Sequence, residues 1–471
     1  MPPLHKYYSF KLTPEQEDAL EKLIEFINND KKQIFILSGF AGTGKTSLVH
    51  GLYKYLEQKE RNSIFMASTG RAAKILSEKT KTEASTIHRK IYSLVTDLVA
   101  QAKLNQHYQL IFELNSNQYS ENTVFFVDES SMISDLANMN MNLQFGTGKL
   151  LTDFFEWLNG RKVVFIGDTA QLPPIKYLVS PALNPNYFIK HFYLQADIYS
   201  LKQVMRFDIN TGIGYNTSKL KQTISSGLFP QLHIRETGFT DINVLPSVER
   251  LADLHVEIIR TRGGISNVAC LCFSNKMVAR MNYLIRTKLF PHKQHTLHPG
   301  EPLMIIQNNY AYGFANGDIV EVHEVSSNTE NRAGITFREV TIKGFNYQGA
   351  YIEKLLIIDD LLHNNETWIG SEAEKALMRD FIIRMSKQDI SPGSQIFYKT
   401  LQTDKYLNAL RVKYGYAFTT HKAQGGEWQN ILIVLEPVLF IQDPEFIYRW
   451  VYTAISRSTK NVYLLKNRCI Y

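Results

Sequence analysis

Gly39-Phe40-Ala41-Gly42-Thr43-Gly44-Lys45-Thr46 decides how the rest of this chain is read. These residues fill the pattern G-x-x-x-x-G-K-[ST], with a further glycine at position 42. Glycines in that spacing allow a tight loop whose backbone N–H groups wrap a phosphate, and a following helix adds its N-terminal dipole. Gly39, Ala41, Gly42, Thr43, Gly44, Lys45, Thr46 and Ser47 are therefore the expected cradle. Lys45 brings charge to the β and γ oxygens, and Thr46 offers a hydroxyl to Mg²⁺. Residues 33–37 read as a short buried strand and residues 46–56 as a helix, the context such a loop requires. A nucleoside triphosphate ligand follows from this stretch.

Working outward, residues 63–67, 123–127 and 162–166 repeat short apolar runs separated by helical stretches, which predicts a parallel sheet. The run Val124-Phe125-Phe126-Val127 ends in Asp128-Glu129. Beside a phosphate loop, Asp128 is placed to hold Mg²⁺ and Glu129 to polarise the attacking water. Another strand ends in Gly167-Asp168-Thr169-Ala170-Gln171-Leu172-Pro173-Pro174, where Gln171 is placed to sense the γ-phosphate or orient water. Before the first helix, Leu12-Thr13-Pro14-Glu15-Gln16 has two readings. Thr13 as N-cap, Pro14 at N1 and Gln16 at N3 form a capping box that needs no ligand. Alternatively, the Gln16 amide pairs with a donor and an acceptor on adenine. The residues alone leave both open.

Near the C-terminus, Tyr416-Ala417-Phe418-Thr419-Thr420-His421-Lys422-Ala423-Gln424-Gly425-Gly426-Glu427-Trp428 precedes Val451-Tyr452-Thr453-Ala454-Ile455-Ser456-Arg457. Arg457 and Arg206, the latter in Leu201-Lys202-Gln203-Val204-Met205-Arg206, are candidates to reach the γ-phosphate as fingers. The competing reading for either is an ordinary surface ion pair. Gly146-Thr147-Gly148-Lys149 imitates a phosphate loop but lacks its leading glycine, its hydroxyl and a preceding strand, so it reads as a polar turn before a helix at 150–158.

At 471 residues the chain is too long for one core. Hydrophobic content of 44%, charged content of 21% and a net charge of +7 describe an ordinary globular protein that suits a polyanionic partner without requiring one. Cys270 and Cys272 alternate within an apolar strand and are expected on opposite faces; with Cys469 they lack the spacing of a metal site. No signal-peptide pattern opens the sequence and no apolar run approaches about 18 residues, so a cytoplasmic setting without membrane contact is expected. From about residue 318 to 358, short alternating runs predict antiparallel strands in a small barrel. A helix is expected at 372–385, with α/β structure resuming to the C-terminus.

In order and spacing, these segments resemble superfamily 1 helicases, specifically the RecD/Dda branch. Met66-Ala67-Ser68-Thr69-Gly70-Arg71-Ala72-Ala73-Lys74, Ala84-Ser85-Thr86-Ile87-His88, Ser274-Asn275-Lys276 and Asn316-Gly317-Asp318 add to the match. The resemblance implies an α/β chain with two RecA-like domains on parallel sheets: domain 1A over 1–200, and domain 2A over 201–318 and 414–471. It also implies a strand-separating pin inserted near 89–122 and an SH3-like barrel, domain 2B, over 319–413 with a helical extension. It implies ATP and Mg²⁺ as cofactors, held by Thr46 and Asp128 at the metal. Gln16 would contact adenine and Glu427 the nucleotide, with Lys45, Asp128, Glu129, Gln171, Arg206 and Arg457 catalytic. Thr69, Gly70, Arg71, Thr86, His88, Thr420 and His421 fall in segments that face single-stranded DNA, where phosphate contacts fix position without reading bases. The implied activity is a monomeric 5′-to-3′ DNA helicase working on single-stranded and forked DNA, beside a single-strand binding protein or replication and repair factors. A single-strand translocase, an RNA helicase, or a nucleotide-dependent switch that does not move on nucleic acid are the alternatives.

Lys45→Ala is expected to abolish ATP hydrolysis, and steady-state turnover surviving within about tenfold of wild type would contradict the phosphate-loop assignment.

Overall fold

The computed structural model describes residues 4–95, 110–137, 143–205, 208–261, 264–293, 296–346, 349–364 and 366–471. The apolar runs of the first two hundred residues build a six-stranded sheet in the order Ala84–Thr86, Ser63–Ala67, Val124–Asp128, Lys162–Gly167, Ile34–Gly39, Ala196–Leu201. Every pairing in it is parallel. Parallel sheets are covered on both faces, which is why the four inner strands are mostly apolar rather than alternating. Phe35, Leu37, Phe126, Val164 and Ile166 pack with Leu20, Leu23 and Phe26 of helix Pro14–Asn28 and Leu48 and Leu52 of helix Lys45–Gln58. The intervening Ile34, Ile36, Phe125, Val127, Val163 and Phe165 pack with Phe154, Trp157 and Phe188 on the other face. Val124–Asp128, Lys162–Gly167 and Ile34–Gly39 are consecutive neighbours, so Asp128, Gly167 and the phosphate loop leave the sheet along one edge.

A second parallel sheet of five strands runs Ile242–Leu245, Ser458–Leu465, Trp428–Ile433, Val268–Cys272, Ala417–Thr419. Cys270 and Cys272 do not point to opposite faces: both join one cluster, with Ala269 and Leu271 in the other. The side-chain period of a strand is two, so residues two apart share a face.

A third sheet is antiparallel, in the order Gly349–Ile358, Ile335–Asn346, Ile319–Arg332, Pro302–Ile305, Val412–Tyr414. It draws in Pro302–Ile305, which lies before the stretch expected to form it. Leu410, next to its last strand, bridges Ile357 on the opposite edge strand. Helix Ser371–Ser386 follows, within a residue of its expected limits.

Three short strands, Tyr92–Leu94, Leu110–Leu114 and Leu143–Phe145, form a fourth sheet. The expected pin at 89–122 contributes the first two, residues 96–109 of it lie outside the described residues, and the third strand comes from beyond it. Gly146-Thr147-Gly148-Lys149 is a turn before helix Leu150–Leu158, as expected, but the expectation that no strand precedes it fails, because strand Leu143–Phe145 runs directly into it. Its donors face inward: Asp153 accepts from the Thr147 N–H at 3.1 Å, the Thr147 hydroxyl at 2.5 Å and Tyr92 Oη at 2.6 Å. A loop closed on its own buried carboxylate does not recruit a phosphate.

The second and third sheets are joined by a buried ion pair. Arg286, on helix Asn275–Leu289, donates from Nε to Glu301 Oε1 at 2.6 Å and from a terminal nitrogen to Oε2 at 3.1 Å. Tyr416 Oη and the His298 N–H also donate to Glu301, at 3.2 and 2.9 Å. Breaking a buried pair strands one charge, at a cost of about 3–5 kcal/mol. Glu301→Gln is therefore expected to lower the urea midpoint clearly, and an unchanged midpoint would show that the joint does not depend on this pair.

Candidate functional site

Gly42 and Gly44 have φ of 83° and 82°, the left-handed region in which a side chain is strained. Gly44 caps helix Lys45–Gln58 without a side-chain hydrogen bond, so the first helical N–H groups are left for an anion. Lys45 Nζ lies across the loop, donating to the carbonyls of Gly39 at 2.6 Å and Phe40 at 3.0 Å.

The end of strand Val124–Asp128, one strand beyond Lys162–Gly167, supplies the carboxylates. Thr46 Oγ1 donates to Asp128 Oδ2 at 2.9 Å, and the Glu129 N–H donates to Asp128 Oδ1 at 2.8 Å. A hydroxyl and a carboxylate are hard oxygen ligands suited to Mg²⁺, which keeps waters and phosphate oxygens in the rest of its shell. Among the described residues no group of three or more His, Cys, Asp or Glu forms a protein-only metal cage. Glu129 adopts φ 52°, and Ser68 Oγ holds its carbonyl at 2.8 Å. Burial pushes the Glu129 carboxyl above its ordinary value; the charge of Arg457 opposes this, Asp128 adds to it, and Lys45 opposes it. Arg457 therefore acts on the same carboxylate as the phosphate-loop lysine.

The turn after Lys162–Gly167 is gripped from the C-terminal side of the chain. Asp168 Oδ2 accepts from the Ala41 N–H at 2.9 Å and from Tyr452 Oη at 2.7 Å. The Leu172 N–H donates to Thr453 Oγ1 at 3.0 Å, Gln424 Nε2 donates to the Leu172 carbonyl at 2.8 Å, and Arg449 donates to the carbonyl of Thr169. Gln171 Nε2 reaches Asp168 Oδ2 at 3.4 Å, while its Oε1 is buried without a partner. Leaving such an atom unpaired costs about 1–3 kcal/mol. Arg457 is 4% exposed and fixed by the Thr453 carbonyl at 3.2 Å and Ser456 Oγ at 3.1 Å. Arg206 lies outside the described residues.

Gln16 forms the capping box: its N–H donates to Thr13 Oγ1 at 3.2 Å, and its Oε1 accepts from the Thr13 N–H at 3.1 Å. Its Nε2 also donates to the Thr43 carbonyl at 3.0 Å, tying the first helix to the phosphate loop.

The segments expected on DNA are distributed less simply. Thr69 and Thr86 cap helices Gly70–Thr80 and Ile87–Ile91, each accepting a backbone N–H at 3.2 Å. Arg71 lies over the Trp428 ring at 4.2 Å with one terminal nitrogen unpartnered, and burial pushes its pKa down to about 10. Gly70 sits so close to Ala315 that an added Cβ would come within 2.0 Å of the alanine Cβ. Glu427, expected at the nucleotide, lies 3.3 Å from Lys79 Nζ on helix Gly70–Thr80. His88 stands among Tyr92 and Phe145, with ring centroids 5.8 and 5.5 Å away. Burial pushes its pKa down to about 4, so it presents a neutral ring at pH 7. Thr420 Oγ1 is buried and unpartnered, and burial lowers the pKa of His421.

Sequence reasoning missed two groups. Asp168 and Tyr452 stand inside runs already singled out, but only the contact between them gives either a role. A cavity of about 460 Å³, lined by Lys276, Arg280, Lys413 and Lys422 over Met304 and Phe418, opens between the second and third sheets. No local pattern points to it, because its walls come from four segments spread between residues 275 and 422.

The AAA domain family matches residues 11–223, and the UvrD-like helicase C-terminal domain family matches residues 414–465. ATP-dependent DNA helicase dda of Enterobacteria phage T4 is 24% identical over 96% of this chain and 98% of its own length. An uncharacterized protein, R530 of Acanthamoeba polyphaga mimivirus, is 19% identical over 95% of this chain and 98% of its own. Among solved structures, two coordinating Pif1 helicases at forked double-stranded DNA align at 17% identity, covering 98% of this chain and 94% of theirs with a TM-score of 0.49. Pif1 helicase from Candida albicans aligns at 15% identity over 98% and 96%, with a TM-score of 0.47.

Glu129→Gln is expected to leave ATP binding within about threefold and to remove turnover. Equal loss of both would assign Glu129 a structural part.

Proposed function

We propose, from the premise that this chain is an ATP-dependent helicase of superfamily 1B, of the Pif1/Dda-like type, that it translocates 5′ to 3′ on single-stranded DNA and unwinds duplex ahead of it. The observation that carries the reading is the seam at which the C-terminal helix Pro444–Ile455 meets the phosphate loop and the turn bearing Gln171, bringing Arg457 to bear on Glu129. A site closed by groups from two sheets is one that hydrolysis can open.

ATP with Mg²⁺ would supply the free energy, held by the loop 39–47, Thr46 and Asp128. Lys45 would leave the Gly39 and Phe40 carbonyls for the β and γ oxygens, and Gln16 would swing its amide to adenine. Glu129 would orient water and Gln171 would meet the γ-phosphate with the amide whose oxygen is unpartnered. Arg457 and Arg206 would stabilise the transferring phosphoryl, a contribution of about 10³–10⁵ in rate for such fingers. Thr69, Gly70, Thr86, His88, Thr420 and His421 would face the DNA strand. His88, being neutral, would contribute its ring or a hydrogen bond rather than charge. Arg71 would face the strand with them and Glu427 the nucleotide; both sit where domains 1A and 2A would meet, and would pass cleft closure to the strand.

The domains are proposed as 1A over 1–200 with the pin near 89–122, 2A over 201–318 and 414–471, and the SH3-like 2B over 319–413. The Leu410–Ile357 bridge between the edge strands of the antiparallel sheet supports a closed barrel. Single-stranded and forked DNA are the proposed substrates, acted on by a monomer with a single-strand binding protein or replication and repair factors nearby. Among the described residues no helix is long and apolar enough to cross a membrane.

Forked duplexes with a 5′ or a 3′ tail, with DNA or RNA as the tracking strand, test this reading. Unwinding of the 5′-tailed DNA fork is expected. Unwinding confined to the 3′ tail would reverse the polarity, and ATP turnover unchanged by poly(dT) would remove the motor.

A further inference from the structure

A single phenol joins the parts of the nucleotide site that must converge in the transition state. Tyr452, on helix Pro444–Ile455, is 2% exposed. Its Oη donates to Asp168 Oδ2 at 2.7 Å and accepts from the Ala41 N–H at 3.0 Å, and the same N–H reaches Asp168 Oδ2 at 2.9 Å. The other Asp168 oxygen accepts from the Ala170 N–H at 2.9 Å and so shapes the turn that carries Gln171. The phenol ring stands edge-on to Phe40, with centroids 6.5 Å apart.

Three chain segments meet in this closed triangle: the phosphate loop at Ala41, the Gln171 turn at Asp168, and the helix whose end carries Arg457. A phenylalanine would fill the same volume and pack against Phe40 equally well. Packing alone therefore leaves the hydroxyl unexplained, whereas its donor and its acceptor site are both used across the seam. Asp168 and the phosphate loop belong to the first sheet, and Tyr452 packs with the core of the second. When groups from two sheets must align on one phosphoryl, a misplacement of about 1 Å costs on the order of 10²-fold in rate.

We infer that Tyr452, acting through Asp168 and the Ala41 amide, is a positioning residue that sets the closed geometry of the cleft, and with it the placement of Arg457 and Gln171. It rests on the proposed hydrolytic site but makes no contact with the nucleotide itself. Removing the hydroxyl then lowers the rate of the chemical step and leaves nucleotide binding largely alone. Asp168→Asn disturbs the same junction, because an amide offers one acceptor oxygen where the carboxylate uses two, so either the triangle or the Ala170 N–H that shapes the Gln171 turn loses its acceptor.

The test is steady-state ATP hydrolysis, with and without poly(dT), for wild type, Tyr452→Phe, Asp168→Asn and the double variant. Expected is a fall in kcat of about tenfold or more for each single variant, with KM for ATP and the affinity for ADP within about threefold. The double variant is expected to be no slower than the slower single one, the signature of residues that act as a unit. Three results would overturn the inference: kcat of Tyr452→Phe within about twofold of wild type, effects of the two substitutions that multiply, or a raised KM with kcat retained, which would make the phenol a substrate contact. Should Tyr452→Phe not fold, the same kcat and KM split measured on Asp168→Asn decides. Loss of poly(dT) stimulation in the wild type would instead count against the motor reading, since the comparison between variants is also made without DNA.

Discussion

Parallel pairing of Ile34–Gly39 with Lys162–Gly167, and of that strand with Val124–Asp128, is the constraint on which the site depends. Strands running the same way release their loops along one edge, so motifs far apart in the chain emerge side by side. Gly39, Asp128 and Asp168 are brought to that edge by backbone ladders whose side chains are buried in two cores. The Ala41–Asp168 hydrogen bond then joins the loops of adjacent strands, and the Thr46–Asp128 bond reaches past Lys162–Gly167 to the strand beyond it.

The polar groups around that edge are not fully paired. Gln171 Oε1, Arg71 and Thr420 Oγ1 each keep a buried atom without a partner. Native interiors satisfy most such atoms, so each unpaired one carries a desolvation cost in this state. Glu129 shows the balance: burial favours its neutral form, while Arg457 and Lys45 favour the carboxylate.

Much of the secondary structure was legible because it follows from local periodicity. Strand Ser63–Ala67 and helix Leu150–Leu158 lie where the apolar pattern puts them. Strand Leu143–Phe145 was not legible, since three residues carry no period and its parallel pairing with Leu110–Leu114 is non-local. Pro302–Ile305 joined the antiparallel sheet unannounced for the same reason. In the site, Lys45, Thr46, Asp128 and Gln171 could be named because their spacing to a strand end is itself the signal. Tyr452 could not, although its run had been singled out, because a tyrosine in an apolar helix is indistinguishable from core until its hydroxyl is seen to meet Asp168.

By itself the sequence determined the phosphate loop, the carboxylates at the next strand end and the alternation of strands and helices, all of which are short-range matters of spacing and period. Only the tertiary structure decided that Gln16 spends its amide on the capping box and the loop, and that Arg71 lies over Trp428. It alone placed Glu427 against Lys79 and closed Tyr452 on Asp168 and Ala41. Except for Gln16, these contacts run from the first sheet and its helices to residues more than 250 positions later. No local pattern encodes a partner at that distance, and packing of the two sheets is what selects it.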